Sequence, residues 1–523
     1  METITTDVLV IGAGGAAARA AVEAAGLGVK VTLVDKGRFG ESGSSPPSLG
    51  GFATSFNPED TPESFFEDWI RTGGRINDQN LVWEAITQSI GAAEGLEAMG
   101  MEFIRHPDGQ RNLYRGAGQS LARNLTAKHH EAEGPNVVIV LREEAHRRGV
   151  QVLEGIMITK LLKRGAQVVG AMGLSSKREP YVFSAGAVVL AAGGANRIYP
   201  NVAAPLVDPK YRTTGDGFAL AFDAGAPLID MEFIQFRDSP PGGSRYGGRY
   251  LNSQGERFME RYDPERLEKA PRCKMAEALY TEIQAGRGPI MWEVGGINPT
   301  EMQMSLARSF ADQKMVEIIL DFQRILGGVR INERAETALP GLFAAGESSG
   351  GVQGGDRMQG NAFLETQVFG ANAGRNAAVL AKNVPPVEKD PAQVEAEEAR
   401  IRGIGGSESP AQLIERVQQI MWEQVGVVRN GPGLREALAK FEELGREKVP
   451  QLSDDDIFAA LEAANLLRTA EMVSRAALTR EETRASHIRS DYPATDDGNW
   501  LKHVCLSNRG GEMAISTLPI ITR

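Results

Sequence analysis

Residues 7–36, DVLVIGAGGAAARAAVEAAGLGVKVTLVDK, restrict the chain more than any other segment. An apolar strand runs into a glycine-rich turn, an alanine-rich helix, a second apolar strand and an acid at its end. That is one βαβ unit of a dinucleotide-binding fold. Gly12 permits the tight turn, Gly14 lets the backbone approach a pyrophosphate, and Ala17, in the third fingerprint position, keeps helix close to strand. The helix start then faces phosphate with its positive dipole end. Asp35 ends the second strand, where a carboxylate accepts hydrogen bonds from both ribose hydroxyls, so an unphosphorylated 2′-hydroxyl is expected. This unit alone does not separate NAD from FAD.

Two distant segments complete the same domain. GAVVLAAGGAN at 186–196 and PGLFAAGESSG at 340–351 each read as a buried strand running into glycines. Glu347 follows the second of these, a place from which a carboxylate can reach a ribityl hydroxyl. Asn361, Ala362 and Phe363 open an apolar helix whose N-terminus can stabilise negative charge on a reduced flavin ring.

At 523 residues the chain exceeds what one hydrophobic core serves, so two or three domains are expected. A formal charge of −11 with no Lys/Arg run argues against a nucleic-acid partner, and an anionic substrate would need a local cationic pocket. Cys273 and Cys505 stand far apart and outside any CxxC, so an iron–sulfur cluster or a disulfide framework is not expected in this chain. No apolar stretch approaches the ~18 residues of a membrane span, and the N-terminus carries no charged leader. The expected location is cytoplasmic, without direct membrane insertion and with membrane association only through a partner.

Several longer stretches resemble the flavoprotein family that includes succinate dehydrogenase, fumarate reductase and L-aspartate oxidase. They are the N-terminal fingerprint, GESGSS through LGG at 40–51, AAGGA at 191–195, TTGDGFALAFDAGA at 213–226 and MEFIQF at 231–236. LNSQGERFMERYDP at 251–264, PGLFAAGE at 340–347, DRMQGNAFLETQVFG at 356–370 and ETRASHIRSDYPATDDGNWLKH at 482–503 continue the series in order. The resemblance implies an α/β fold: a Rossmann-like FAD-binding domain of residues 1–230 and 336–385, interrupted by an α+β capping domain at 231–335. A C-terminal helical domain at 386–490 and a tail at 491–523 follow. Helical apolar spacing at 410–422, 433–445 and 454–484, and the Pro-rich polar linker at 383–391, agree with that division. Besides the residues already named, the resemblance assigns Gly15, Lys36, Ser42, Ser44, Gly50, Gly51, Ala192, Gly193, Gly194 and Asp216 to the cofactor.

The chain also departs from the pattern. Some members tether flavin through a His six residues before the paired glycines of LGG, and that position here is Ser44. None of His106, His129, His130, His146, His487 and His503 falls in the loop, so non-covalent FAD is expected, with Ser42 and Ser44 hydrogen-bonding it. The family holds a dicarboxylate with two Arg and two His. The first His position, after MEFIQF, is Arg237, and the second, in QRILGG, is Gln323. Arg357 of DRMQGN matches the Arg that grips a substrate carboxylate in a bidentate fork. Arg245 of SRYGGRYLN matches the proton-shuttling Arg, with Arg249 as the alternative. An Arg, whose pKa normally exceeds ~12, acts as a base only with a neighbouring carboxylate and a buried path. Arg237 is either a third carboxylate ligand or the ion-pair partner of Glu232 or Asp238.

The resemblance therefore implies an FAD-dependent dehydrogenase or reductase moving hydride between flavin N5 and a small, anionic, carboxylate-bearing molecule other than succinate or fumarate. A separate iron–sulfur subunit would carry the electrons. Two further readings stand: an L-aspartate-oxidase-like or adenylylsulfate-reductase-like flavoenzyme, and an electron-transfer flavoprotein subunit without dicarboxylate chemistry.

Overall fold

Val8, Leu9, Val10 and Ile11 are all buried, as an inner parallel strand covered on both faces requires. The computed structural model that shows this describes residues 2–48, 51–128, 136–202, 208, 210, 212–240, 242–295, 309–310, 312–384, 390–404, 409–446 and 457–523, without the side chains of Ser244 and Arg245. Strand Glu2–Ile11 lies parallel to Val31–Asp35 on one side and to Pro180–Leu190 on the other. Gln151–Glu154 continues the sheet beyond Val31–Asp35. Pro180–Leu190 divides its other edge. Its first half pairs antiparallel with Gln167–Ser175, and Val188 to Leu190 pair parallel with Leu342–Ala344. Segments far apart in sequence thus share one sheet, which is the interrupted nucleotide fold that the glycine-ended strands predict.

Small residues set how closely the helices lie over that sheet. Helix Gly15–Gly26 is crossed by helix Asn361–Asn383, and the contact is made backbone to backbone. A Cβ on Gly370 would stand 2.7 Å from Ala16 O, and one on Gly374 only 2.2 Å from Ala20 O. Ala17 is fully buried between helix and sheet, so its role is packing and not contact with the cleft.

The capping part is a four-stranded antiparallel sheet in the order Ile234–Ser239, Met315–Ile325, Ile290–Glu293, Arg249–Leu251, with helix Arg272–Gln284 packed on it. Gln235 faces Arg324 and Phe236 faces Phe322, so Gln323 is the extra residue of a β-bulge. The chain leaves and returns through Leu228–Ile229 and Gly328–Arg330, which pair antiparallel.

The three expected C-terminal helices run Pro410–Gln424, Gly431–Arg446 and Ile457–Thr479; residues 454–456 of the third expectation lie outside the described residues. The last segment is more than a tail. Lys502–Arg509 and Glu512–Pro519 form a hairpin, and Cys505 pairs with Ile229, adding two strands to the sheet at the neck of the cap. Gly510 and Gly511, at φ +66° and +97°, supply the two left-handed positions its turn demands. Among the described residues no helix is long and apolar enough to cross a membrane.

Candidate active site

A cleft of about 550 Å³ opens at the C-terminal ends of the parallel strands. Gly12 has φ +112°, and a Cβ there would sit 2.3 Å from Ala191 O, so only glycine makes this turn. Gly15 N donates to Ser45 Oγ at 3.0 Å, at the helix N-terminus where a pyrophosphate oxygen is favoured. Asp35 lines the cleft and accepts from Gly37 N at 2.7 Å; burial raises its pKa above the ordinary carboxylate value. Glu347 lines the cleft from the returning strand, accepts from Ile325 N at 3.2 Å and is likewise raised by burial. Gly194 is required behind it, since a Cβ would stand 2.2 Å from Glu347 Oε1.

The remaining expected cofactor residues fall into three groups. Gly14, Gly15, Ser44, Ala192, Gly193, Ala362 and Phe363 line the cleft directly. Ser44 Oγ accepts from Asn196 Nδ2 at 3.3 Å. Ser42 Oγ lies 3.3 Å from Asp35 Oδ1 and 2.8 Å from Arg38 O, so it sits beside the Asp35 carboxylate. Lys36 also lines the cleft, but its Nζ is held by Asp216 at 2.7 Å, Glu462 at 2.5 Å and Thr214 at 2.8 Å. Burial opposes the ionised forms of this pair, yet their mutual attraction holds Asp216 below and Lys36 above their ordinary values. The pair is a strut between the nucleotide sheet and the Ile457–Thr479 helix. Gly51 begins a short strand with its Cα facing Tyr114, and Gly50 lies outside the described residues.

Asn361 is fully buried at the first turn of its helix, and neither atom of its amide has a hydrogen-bond partner among the described residues. Gln353 Oε1 and Gln323 Oε1 share that condition. Gln353 reaches Glu365 at 2.9 Å, and Glu365 reaches Arg324, which lines the cleft, at 3.2 Å. Unsatisfied buried amides are rare and mark a missing polar partner. A flavin ring edge, with its alternating carbonyl and N–H groups, supplies such partners, and the glycine cradle suits its pyrophosphate. The residues present therefore fit FAD. No His lines the cleft among the described residues; His129 and His130 lie outside them.

Beyond Arg324 the cap meets the nucleotide fold at a group of arginines. Arg357 is buried; its Nε donates to Gln235 Oε1 at 3.1 Å and its Nη1 to Met358 O at 3.2 Å. Gln235 Nε2 in turn donates to Asp356 Oδ1 at 2.6 Å, which fixes the amide and hence the guanidinium. Arg272, the first residue of its helix, donates Nη1 to Arg357 O at 3.3 Å. Neither Arg357 nor Arg272 has an ion-pair partner among the described residues. Burial, with Arg272 and Arg324 nearby, pushes the Arg357 pKa well down; burial, with Arg237 nearby, pulls Arg272 down to about 10. Asp356, Asp238 and Glu365 offset part of this, but two neighbouring guanidinium groups with no direct ion pair still favour an anion between cap and cleft.

Arg237 is buried 3.7 Å from Asp321, and this carboxylate, not Glu232 or Asp238, is its ion-pair partner; its Nε makes no hydrogen bond. Glu232 pairs with Arg480 at 2.6 Å, and Asp238 accepts from Tyr250 Oη. The side chain of Arg245 lies outside the described residues. Arg249 is exposed and bound to Glu293 at 2.6 Å, in a surface ion pair. Sequence reasoning passed over Arg272, Gln235 and Ser45. The Ala-Pro-Arg that starts the helix and a Gln in an otherwise apolar strand were the available signals.

An interrupted parallel sheet, a glycine cradle and a cap closing on buried arginines define a flavin-dependent oxidoreductase. The family model for an FAD binding domain matches residues 7–363, and that for the fumarate reductase flavoprotein C-terminus matches 414–523. A fumarate reductase (CoM/CoB) chain of Methanothermobacter marburgensis is 37% identical over 557 aligned positions, covering 97% of this chain and 98% of that one. An L-aspartate oxidase from Streptomyces coelicolor is 29% identical, with 96% and 91% covered. A quinol fumarate reductase FrdA variant from E. coli superposes with a TM-score of 0.91 at 25% identity, covering 100% and 98%. The chain belongs to the succinate dehydrogenase and fumarate reductase flavoprotein family, and its cofactor is FAD.

Proposed function

We propose that the chain catalyses reversible reduction of a small carboxylate at a carbon–carbon or carbon–nitrogen double bond beside the carboxyl group. The observation that carries this is the buried Arg357 with the partly buried Arg272 donating to its carbonyl at 3.3 Å, neither with an ion-pair partner among the described residues. Bound FAD would supply a two-electron hydride donor and acceptor. Arg357, oriented by Gln235, grips the substrate carboxylate and fixes the reacting bond. Arg272 holds the transferable proton on its guanidinium. With its pKa at about 10 it is charged near neutrality, yet it releases a proton more readily than an ordinary arginine. Arg237 and Gln323 stand where relatives place imidazoles and offer further donors to an anion.

The likeness to a chain named fumarate reductase makes fumarate the first compound to test, although Arg237 and Gln323 stand where the family resemblance expects imidazoles. Relatives named as subunits support a separate electron-carrying partner for this chain. The L-aspartate oxidase reading rests on the Streptomyces relative. Dithionite-reduced, FAD-loaded protein is mixed anaerobically with fumarate and then with a panel of carboxylic and amino acids. Flavin reoxidation by one compound, abolished in Arg357→Ala, is expected. Reoxidation that survives the substitution would place the substrate elsewhere, and no response to any compound would favour an electron-transfer role.

A further inference from the structure

A second cleft, of about 770 Å³, lies between the nucleotide fold and the cap, outside the dinucleotide groove. Its walls are the end of helix Pro62–Thr72, residues 115–120 and the cap segment 265–273. Residues of its lining contact the 356–359 stretch that carries Arg357. Cys273 donates its backbone N–H to Asp356 Oδ2 at 3.2 Å, and Gln119 donates Nε2 to Gln359 O at 3.0 Å. A Cβ on Gly118 would meet Met358 at 2.8 Å.

The lining sets Arg71, Arg115, Arg266 and Lys269 against one carboxylate, Glu265, in a chain whose formal charge is −11. Arg71 is neutralised by Asp68, and Arg266 by Asp263 at 3.4 Å. Arg115 is held differently. Its Nε donates to Gln119 O at 2.7 Å, which fixes the guanidinium without neutralising it, and no carboxylate pairs with it among the described residues. An excess of positive charge between low-dielectric walls concentrates counter-ions.

We infer that this cleft is the path by which an anionic substrate reaches Arg357, and that Arg115 captures the anion at its mouth, favouring dianions over monoanions. The inference rests on the reading of Arg357 as the carboxylate ligand. A dianion feels twice the pull of a monoanion at the same distance, so the selection acts on association and weakens as salt screens it.

The test is stopped-flow mixing of the FAD-loaded protein with malonate, a redox-inert dicarboxylate, following the shift in flavin absorbance at low and high NaCl. The wild-type association rate should fall with salt. In Arg115→Gln it should be roughly fivefold lower at low salt and equal at high salt, with the dissociation rate unchanged. Acetate should lose less than malonate, and Arg115→Lys should restore the rate; FAD content and melting temperature of both variants exclude misfolding. Wild-type kinetics in Arg115→Gln, while malonate still shifts the wild-type flavin, would overturn the capture role and leave the carboxylate site standing. A wild-type flavin that ignores malonate would remove the carboxylate site, and this path with it.

Discussion

Arg272 Nη1 lies 3.3 Å from the main-chain oxygen of Arg357, so a partly buried guanidinium of the cap meets the nucleotide fold at the residue that carries a buried one. The two differ in what surrounds them. Arg357 is fixed by Gln235 and Met358 O as a fork for an anion, whereas the Arg272 guanidinium, among the described residues, bonds to Arg357 O alone. The proposed division of labour between carboxylate and proton rests on that difference.

Arg272 as the proposed proton carrier, lowered to about 10, should give the reaction an alkaline limb. Reduction consumes a proton and needs the charged form, so its rate should hold through neutrality and fall as pH rises through about 10. The reverse oxidation needs the neutral form and should rise over the same range. Rates measured in both directions against pH check this, and an Arg272→Lys variant should move the limb.

Flavin should leave the protein without chemical cleavage, because Ser44 stands where the family resemblance puts the tethering His of some members. Acid precipitation followed by spectroscopy of supernatant and pellet measures it. Yellow supernatant with a colourless pellet is the expected outcome.

Gly374→Ala should destabilise the fold by about 1–3 kcal/mol through overpacking, although alanine in place of glycine normally favours a helix by up to ~1 kcal/mol. The new Cβ would lie 2.2 Å from Ala20 O and force the two helices over the sheet apart. Chemical denaturation of the FAD-free protein gives the sign directly.

Two buried histidines give stability opposite slopes with pH. His503 loses solvation on burial, yet Asp230 at 2.6 Å raises its pKa above 6.5, so its contribution is complete below that value and is lost as pH rises through the folded pKa. His487 is pushed well below 6.5 by burial and by Arg429, which lies 3.0 Å from its Nδ1. It folds neutral, so stability is lost as pH falls below about 6.5, where the unfolded chain takes up a proton. Melting temperatures against pH should show His503→Gln flattening the alkaline decline and His487→Gln the decline on the acid side.

The nucleotide fold was legible because its signals are local. Gly12, Gly14, Ala17 and Asp35 fall within one βαβ unit whose spacing is set by the turn and the strand length. The arginine site was only half legible. Arg357 stands in a recognisable stretch, but the role proposed for Arg272 rests on a carbonyl 85 positions away that no local pattern encodes. Gln235 is tied to Arg357 across 122 positions. Lys36 and Asp216 flank cofactor stretches, and Lys36 lines the cleft, but the Glu462 that also holds Lys36 comes from a helix 426 positions on. The closing hairpin does carry a local signal, Gly510-Gly511 between apolar-containing strands, and the expectation of a plain tail overlooked it.

The most direct measurement is steady-state kinetics, in Arg357→Ala and Arg272→Ala holoprotein, with the carboxylate that reoxidises the reduced flavin. Loss of Arg357 should raise KM steeply, because the buried fork for the carboxylate is gone. Loss of Arg272 should lower kcat by about 10²–10⁴ while KM changes little, because proton transfer and not binding is removed. Equal effects of both substitutions on kcat and KM, with FAD content intact, would contradict the separation of carboxylate and proton between these two arginines.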